Sequence, residues 1–377
     1  MTALLLQARV QEILDDLAAG DPGAGFQAAA YWKGQLLLDA CSGSADAAGQ
    51  RPVKPDTLFN IQSCSKGITS TAIHILVQQG KLHYDERIAH YWPQFGAGGK
   101  EHITLRQMLT HTAGVPLMPE HADMELICDW EAMVREMERL EPIWEPGSKS
   151  GYHGLTVGWI LGETASRADG RSFSRIVQDE INRPLGIGTE LYIGASEDAL
   201  PRIAEISGDA LPIASLPDGM LIKRVLPPAV VPVANPEWNE PWFHQAAVPA
   251  ANAVATARAL ARMYASLIGG GVSGGQLLEP ASLAAATALQ WEGVDEVMGV
   301  PNRLGLGYTL GHAGSGDAMG TNPLAFGYSG LGGMIGYADP ESGLSVAVLC
   351  NRLRSGRGER SPDRLVADKI RDELGLQ

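Results

Sequence analysis

Positive charge is scarce in this chain of 377 residues. Its 29 lysines and arginines face 43 aspartates and glutamates, a formal charge of −14. No basic run interrupts the excess, so a nucleic-acid partner is set aside. Cysteine is scarce too: the four residues (Cys41, Cys64, Cys128, Cys350) have no metal-type spacing and read as reduced core side chains. The nine histidines contain no H-x-x-x-H pair, so no metal site is expected, and nothing calls for an organic cofactor. No apolar run approaches the roughly 20 residues of a membrane span. Leu4-Leu5-Leu6 lacks a basic flank and a cleavage-type site. With Val10, Ile13, Leu14 and Leu17 it predicts an amphipathic first helix, not a signal peptide. The expectation is a cytoplasmic chain with no membrane partner.

Apolar segments are plentiful, with 45% hydrophobic residues, and 45 glycines and 23 prolines point to many turns. Gly25 to Cys41 reads as a hairpin turning at Lys33-Gly34. Near the other end, Gly305 to Leu310, Ala325 to Ser329, Gly332 to Ala338 and Leu344 to Cys350 read as strands, and Arg364 to Leu374 as a closing helix. Between them lie mostly helical patterns. The predicted class is therefore α+β, with an antiparallel sheet built from both terminal segments and flanked by helices. Residues 1–84 and 300–377 are expected to form the sheet-containing domain and 85–299 a mainly helical one, with the active site between them. A Pro-rich stretch, Leu211 to Pro249, carries Trp238, Trp242 and Phe243. It reads either as a wall of a binding site or as a loop covering the core.

The chain is organised around Phe59 to Gly67, which opens an apolar helix running to Gly80. From Ile68 to Val77 it is apolar nearly all round, as in a helix buried in a large protein. Ser63 and Lys66 form the chain's one Ser-x-x-Lys, and i+3 spacing puts them on one helical face. A serine oxygen, a buried amine and a helix N-terminus make a candidate activated nucleophile. The plainer reading is an N-cap serine beside a lysine that reaches water. Cys64 points elsewhere and reads as packing.

Two further stretches matter. In Trp144 to Gly154 a turn-rich loop presents Tyr152, whose phenol can take a proton from Ser63 if Lys66 is near; otherwise it is a packing residue. His153, one residue on, points away. In Phe326 to Met334 glycines beside a strand let a carbonyl approach the backbone. The N–H of Leu331 with that of Ser63 can then form an oxyanion hole. Taken alone, that stretch is a Gly-rich hairpin edge.

Together and in this order, these stretches resemble the text of serine β-lactamases and penicillin-binding proteins. The similarity is greatest to the class C β-lactamase-like esterases, the family VIII carboxylesterases. It rests on Phe59 to Lys66, Leu109-Thr110-His111-Thr112-Ala113-Gly114, Pro146-Gly147 through Tyr152, and Gly327 through Asp339-Pro340. The resemblance implies a β-lactamase/transpeptidase-like fold, with Ser63 as acylated nucleophile and Lys66 and Tyr152 sharing its proton. Two departures count. Tyr152-His153-Gly154 lacks the amide of Tyr-x-Asn, and Tyr328-Ser329-Gly330 stands where those β-lactamases have Lys-Thr-Gly. A neutral phenol does not attract a drug carboxylate as an ammonium does.

The resulting expectation is a serine carboxylesterase acting on small or short-chain neutral esters. Tyr328, Ser329, Gly330, Trp238, Trp242 and Phe243 would contact substrate. Its rivals are a β-lactamase, peptidase, amidase or acyltransferase on the same fold, and a catalytically silent binding protein. Arg352 and Arg354, just after the last strand, read as exposed arginines or else as a carboxylate contact that Tyr328 does not supply. Oligomeric state is not legible.

Overall fold

The computed structural model describes residues 3–209, 211–269, 271–272, 275–312, 318–354, 358 and 360–376. Strands β1 (Gly25–Trp32) and β2 (Gln35–Gly43) form the N-terminal hairpin. Lys33 and Gly34 join them with φ of 50° and 79°, the positive values that a two-residue turn matched to strand twist requires. The C-terminal part supplies β3 (Trp291–Val294), β4 (Pro301–Leu304), β5 (Thr309–Leu310), β6 (Phe326–Gly330), β7 (Met334–Asp339) and β8 (Leu344–Cys350). They make one eight-stranded sheet in the order β2-β1-β8-β7-β6-β5-β4-β3. Each neighbouring pair is antiparallel. Ala29 and Gly336 both face Ala347, so the termini meet at the centre of the sheet.

Both sheet faces are covered, which is why β7 and β8 are buried at every residue. Successive side chains point to opposite faces. Ser345 Oγ donates to Ala261 O (2.9 Å) on helix α4 (Ala257–Leu267). Tyr337 points the other way, where its hydroxyl accepts from Arg371 (3.0 Å) of α5 (Pro362–Leu374). Helix α1 (Ala3–Ala19) lies beside α5 through Arg9–Glu373 (2.7 Å) and exchanges two hydrogen bonds with Asp39 of β2 through Gln7.

Helix α2 (Ser65–Gln78) is buried at every residue from Ser65 to Leu76. It packs between α3 (Thr156–Asp169) of the helical region and the sheet. A Cβ on Gly67 would stand 2.1 Å from the Tyr264 hydroxyl, so any larger residue would push α2 off α4. This places the start of α2 at the junction of sheet and helical region.

Two sequence expectations need correction. The helical region does not run to 299: Trp291–Val294 pairs with Pro301–Leu304 as the sheet edge. Four residues are too few to reveal strand alternation. Of Gly305 to Leu310, only Thr309–Leu310 is strand, because Gly305 N–H turns back onto Tyr308 O (2.9 Å). The segment 211–249 is a chain of short helical turns. Pro212, Pro228, Pro236 and Pro241 each open one, at the first helical position where a missing N–H costs nothing. Among the described residues no helix is long and apolar enough to cross a membrane.

Candidate active site

The chain enters the site along Phe59–Asn60, a short strand paired with Val254–Ala255. A 3-10 turn, Gln62–Cys64, then runs directly into α2. Gln62 has φ of +49°, a strained value for a residue with a side chain. Asn60 Oδ1 holds it there by accepting from Gln62 N (3.0 Å) and Nε2 (2.7 Å).

Ser63 is not an N-cap, since neither the turn nor α2 has a side-chain cap. Its Oγ lies 2.7 Å from the Tyr152 hydroxyl and 3.1 Å from Lys66 Nζ. Lys66 does not reach water either. Its buried amine donates to Ala250 O (2.9 Å) and stands 4.9 Å and 5.6 Å from the Tyr152 and Tyr328 ring centroids. Burial lowers its pKa, opposed in part by Tyr152, so the neutral amine is favoured relative to a free lysine. Ala250 is fixed by the buried Asn252, which ties Phe243 O, Ala246 O and Val248 N together. Ala253 N donates to Ser65 Oγ (3.1 Å), stitching that loop to the serine turn.

Tyr152 precedes α3, and its N–H donates to Asp295 Oδ1 (3.1 Å). His153 points away, as expected. It donates from Nδ1 to Gly151 O (2.7 Å) and accepts at Nε2 from Val115 N (3.0 Å); burial pushes its pKa down to about 3.

Strand β6 brings the third stretch against the serine. Cys64 Sγ donates to Tyr328 O (3.2 Å), the packing role expected of it. A Cβ on Gly330 would stand 2.7 Å from Ile61 O, so only glycine allows this approach. Leu331 opens the turn after β6 and lines the same cavity as Ser63.

Behind Tyr328 lies His111, which the sequence marked only within a resembling motif. Its Nδ1 accepts from His153 N (3.1 Å), and burial, with His153 and Lys66, holds the ring pKa well below 6.5. A neutral ring accepting at Nδ1 carries its proton on Nε2, which then donates to the Tyr328 hydroxyl (3.3 Å). The Tyr328 hydroxyl oxygen is thus held as an acceptor on the cavity wall. Burial first, then Tyr152 and Asp295, raises the Tyr328 pKa well above 10, so a neutral phenol stands here.

The cavity over Ser63 measures about 650 Å³. Tyr328, Ser329, Gly330 and Leu331 form one side, and Ile213, Leu226, Val230 and Trp238 belong to its apolar wall. Trp242 and Phe243, expected to contact substrate, do not line it. Phe243 is fully buried and packs on Trp238 (centroids 4.4 Å apart), while Trp242 lies on the surface at 39% exposure. Trp238 sits on the turn Pro236–Asn239 and the other two on the separate helix Pro241–Gln245, so no common helical face aligns them. Arg354 reaches the cavity with Asp21 as partner (2.7 Å); Arg352, also on Asp21 (2.8 Å), does not. Sequence reasoning missed Ala250 and Asp295, since a carbonyl and a lone acid carry no pattern.

Comparison with known proteins agrees with this fold. The Beta-lactamase family profile matches residues 10–370. The chain is 34% identical over 349 residues to the Esterase/beta-lactamase LipL of Mycobacterium tuberculosis, covering 88% of this chain and 78% of that protein. Among solved structures it is similar to a family VIII carboxylesterase (30% identity, TM-score 0.85, 97% of each chain). It is equally similar to a penicillin-binding protein homologue from Caulobacter crescentus (31% identity, TM-score 0.84, 97% of each chain).

Proposed function

Since the chain belongs to the Beta-lactamase family, we propose that it is a serine ester hydrolase working through an acyl-enzyme. The observation that carries this reading is Ser63 Oγ held between the Tyr152 hydroxyl (2.7 Å) and Lys66 Nζ (3.1 Å) at the edge of an open cavity. Ser63 attacks the ester carbonyl while its proton passes to the Tyr152–Lys66 pair. The backbone N–H groups of Ser63 and Leu331 hold the oxyanion. The pair then protonates the departing alcohol and afterwards takes a proton from the water that releases the acid.

The preference for esters over β-lactams rests on Tyr328. A charge-assisted hydrogen bond is roughly twice as strong as a neutral one, so a phenol forfeits affinity for a carboxylate while still serving a carbonyl or alcohol oxygen. The cavity also widens the expected substrate range. At about 650 Å³ with a largely apolar wall, it has the size of sites that enclose drug-sized ligands, so esters with bulky apolar groups fit as well as short ones.

The test is a side-by-side assay with a chromogenic short-chain ester and a chromogenic cephalosporin. Ester turnover without comparable cephalosporin turnover is expected. A preference for the cephalosporin over every neutral ester tried would replace this reading with a β-lactamase, and inertness toward both with a binding protein.

A further inference from the structure

The ester chemistry makes no use of one carboxylate in the cavity. Asp295 is 1% exposed yet lines the cavity together with Tyr152 and Tyr328. Its Oδ1 accepts three backbone N–H groups, from Tyr152 (3.1 Å), Val297 (2.9 Å) and Met298 (2.8 Å). None of these is a cation, and Asp295 forms no ion pair among the described residues. Arg354, which lines the cavity, and Lys66, which donates to Ser63, are committed elsewhere. Arg354 is paired with Asp21 (2.7 Å), and Lys66 is directed at Ser63 and Ala250.

Three backbone N–H dipoles on one oxygen do not cancel the charge of a carboxylate. With Oδ1 saturated, Oδ2 is the oxygen with hydrogen-bonding capacity left for a ligand. Low-dielectric walls strengthen the field of such a group inside a cleft. We propose that Asp295 makes this cavity a cation subsite, so that the protein takes esters bearing an ammonium group in preference to their neutral isosteres. Tyr152 spans the gap, with its backbone at Asp295 and its hydroxyl at Ser63. The ammonium therefore sits about one tyrosine side chain from the reacting carbonyl, as in an amino alcohol ester with a short alkyl spacer. The same charge repels carboxylates, adding to the effect of Tyr328. The inference rests on the esterase reading for its substrate class but not for its binding site.

Two measurements test it. In the first, calorimetry compares choline with its uncharged carbon isostere, 3,3-dimethylbutan-1-ol, on the unmodified protein and on D295N. Asparagine keeps a side-chain oxygen for the three N–H groups. Choline should bind about tenfold or more tightly than the alcohol, and D295N should remove that margin. In the second, kcat/KM is compared for choline butanoate and 3,3-dimethylbutyl butanoate; their ratio should fall about tenfold or more in D295N. Equal binding of choline and the alcohol to the unmodified protein overturns the proposal, whether or not D295N folds. Equal losses on both esters reduce Asp295 to a clamp for its loop and also overturn it. Asp295-dependent choline binding without turnover of either ester would sustain the subsite and sink the esterase reading instead.

Discussion

The Tyr152 hydroxyl lies 2.7 Å from Ser63 Oγ although 89 residues separate the two in sequence. Each is presented by the turn or loop just before a helix packed against the other's, and Lys66 donates to Ser63 Oγ (3.1 Å) with its amine 4.9 Å from the Tyr152 ring centroid.

If this contact is the proton path, Ser63→Ala abolishes ester turnover and removes the adduct formed with a fluorophosphonate probe. The fold should survive, because Ser63 caps no helix. Mass spectrometry locates the adduct, and persistent labelling at Ser65 or Cys64 would mean that the nucleophile is misassigned.

Lys66 and Tyr152 should behave as one unit. Lys66→Ala and Tyr152→Phe should each cost on the order of a hundredfold or more in kcat, and the double variant little more than either. Strictly additive losses in single-turnover kinetics would show two independent paths. Burial lowers the Lys66 pKa, so the base limb of the pH–rate profile should rise through an apparent pKa below 10.5.

The apolar wall should set chain-length preference. Leu226→Trp fills part of the cavity that Leu226 lines and should depress kcat/KM for long acyl esters more than for acetate esters. Trp242→Ala, at a surface residue outside the cavity, should leave the ranking unchanged. The reverse pattern in a panel of chromogenic esters would contradict the observed placement.

Tyr328→Lys should raise the ratio of cephalosporin to neutral-ester turnover, even if both absolute rates fall. His111 supplies a neutral N–H to this position, a partner suited to a phenol but not to an ammonium. An unchanged ratio would remove Tyr328 from the specificity account.

Acid should weaken the fold before carboxylates titrate. Burial lowers the pKa values of His74 and His244 to about 4 and of His153 to about 3, against 6.5 unfolded. Between pH 6.5 and these values the unfolded chain binds protons that the folded chain refuses, so stability is lost as pH falls. At pH 5 the loss is on the order of 1–2 kcal/mol per histidine. Urea melts at pH 7 and pH 5 measure the total, and His74→Gln should reduce the slope. Equal midpoints at both pH values would contradict this linkage.

The apolar run after Ser63, the Lys33-Gly34 turn and the β-type runs near the C-terminus were legible because each is a local property. Helical burial, turn backbone and strand alternation are written in neighbouring residues. The Ser63–Lys66 pair was legible for the same reason, since i+3 spacing on a helix fixes a contact. Tyr152 and Leu331 were candidates on the residues of their own loops, but what tied them to Ser63 was the order of the stretches and the resemblance, because no local rule brings residues 89 or more apart together.

What only the tertiary structure decided is which side chains meet. It separated Trp238, on the cavity, from Phe243 behind it and Trp242 outside it. It also joined His153, His111 and Tyr328 into a chain of hydrogen bonds. The buried Asp295 carboxyl on the same cavity as the serine belongs to the same class of fact. Such contacts depend on the mutual placement of elements remote in sequence, set by packing of the whole core, so a single sequence holds them without displaying them.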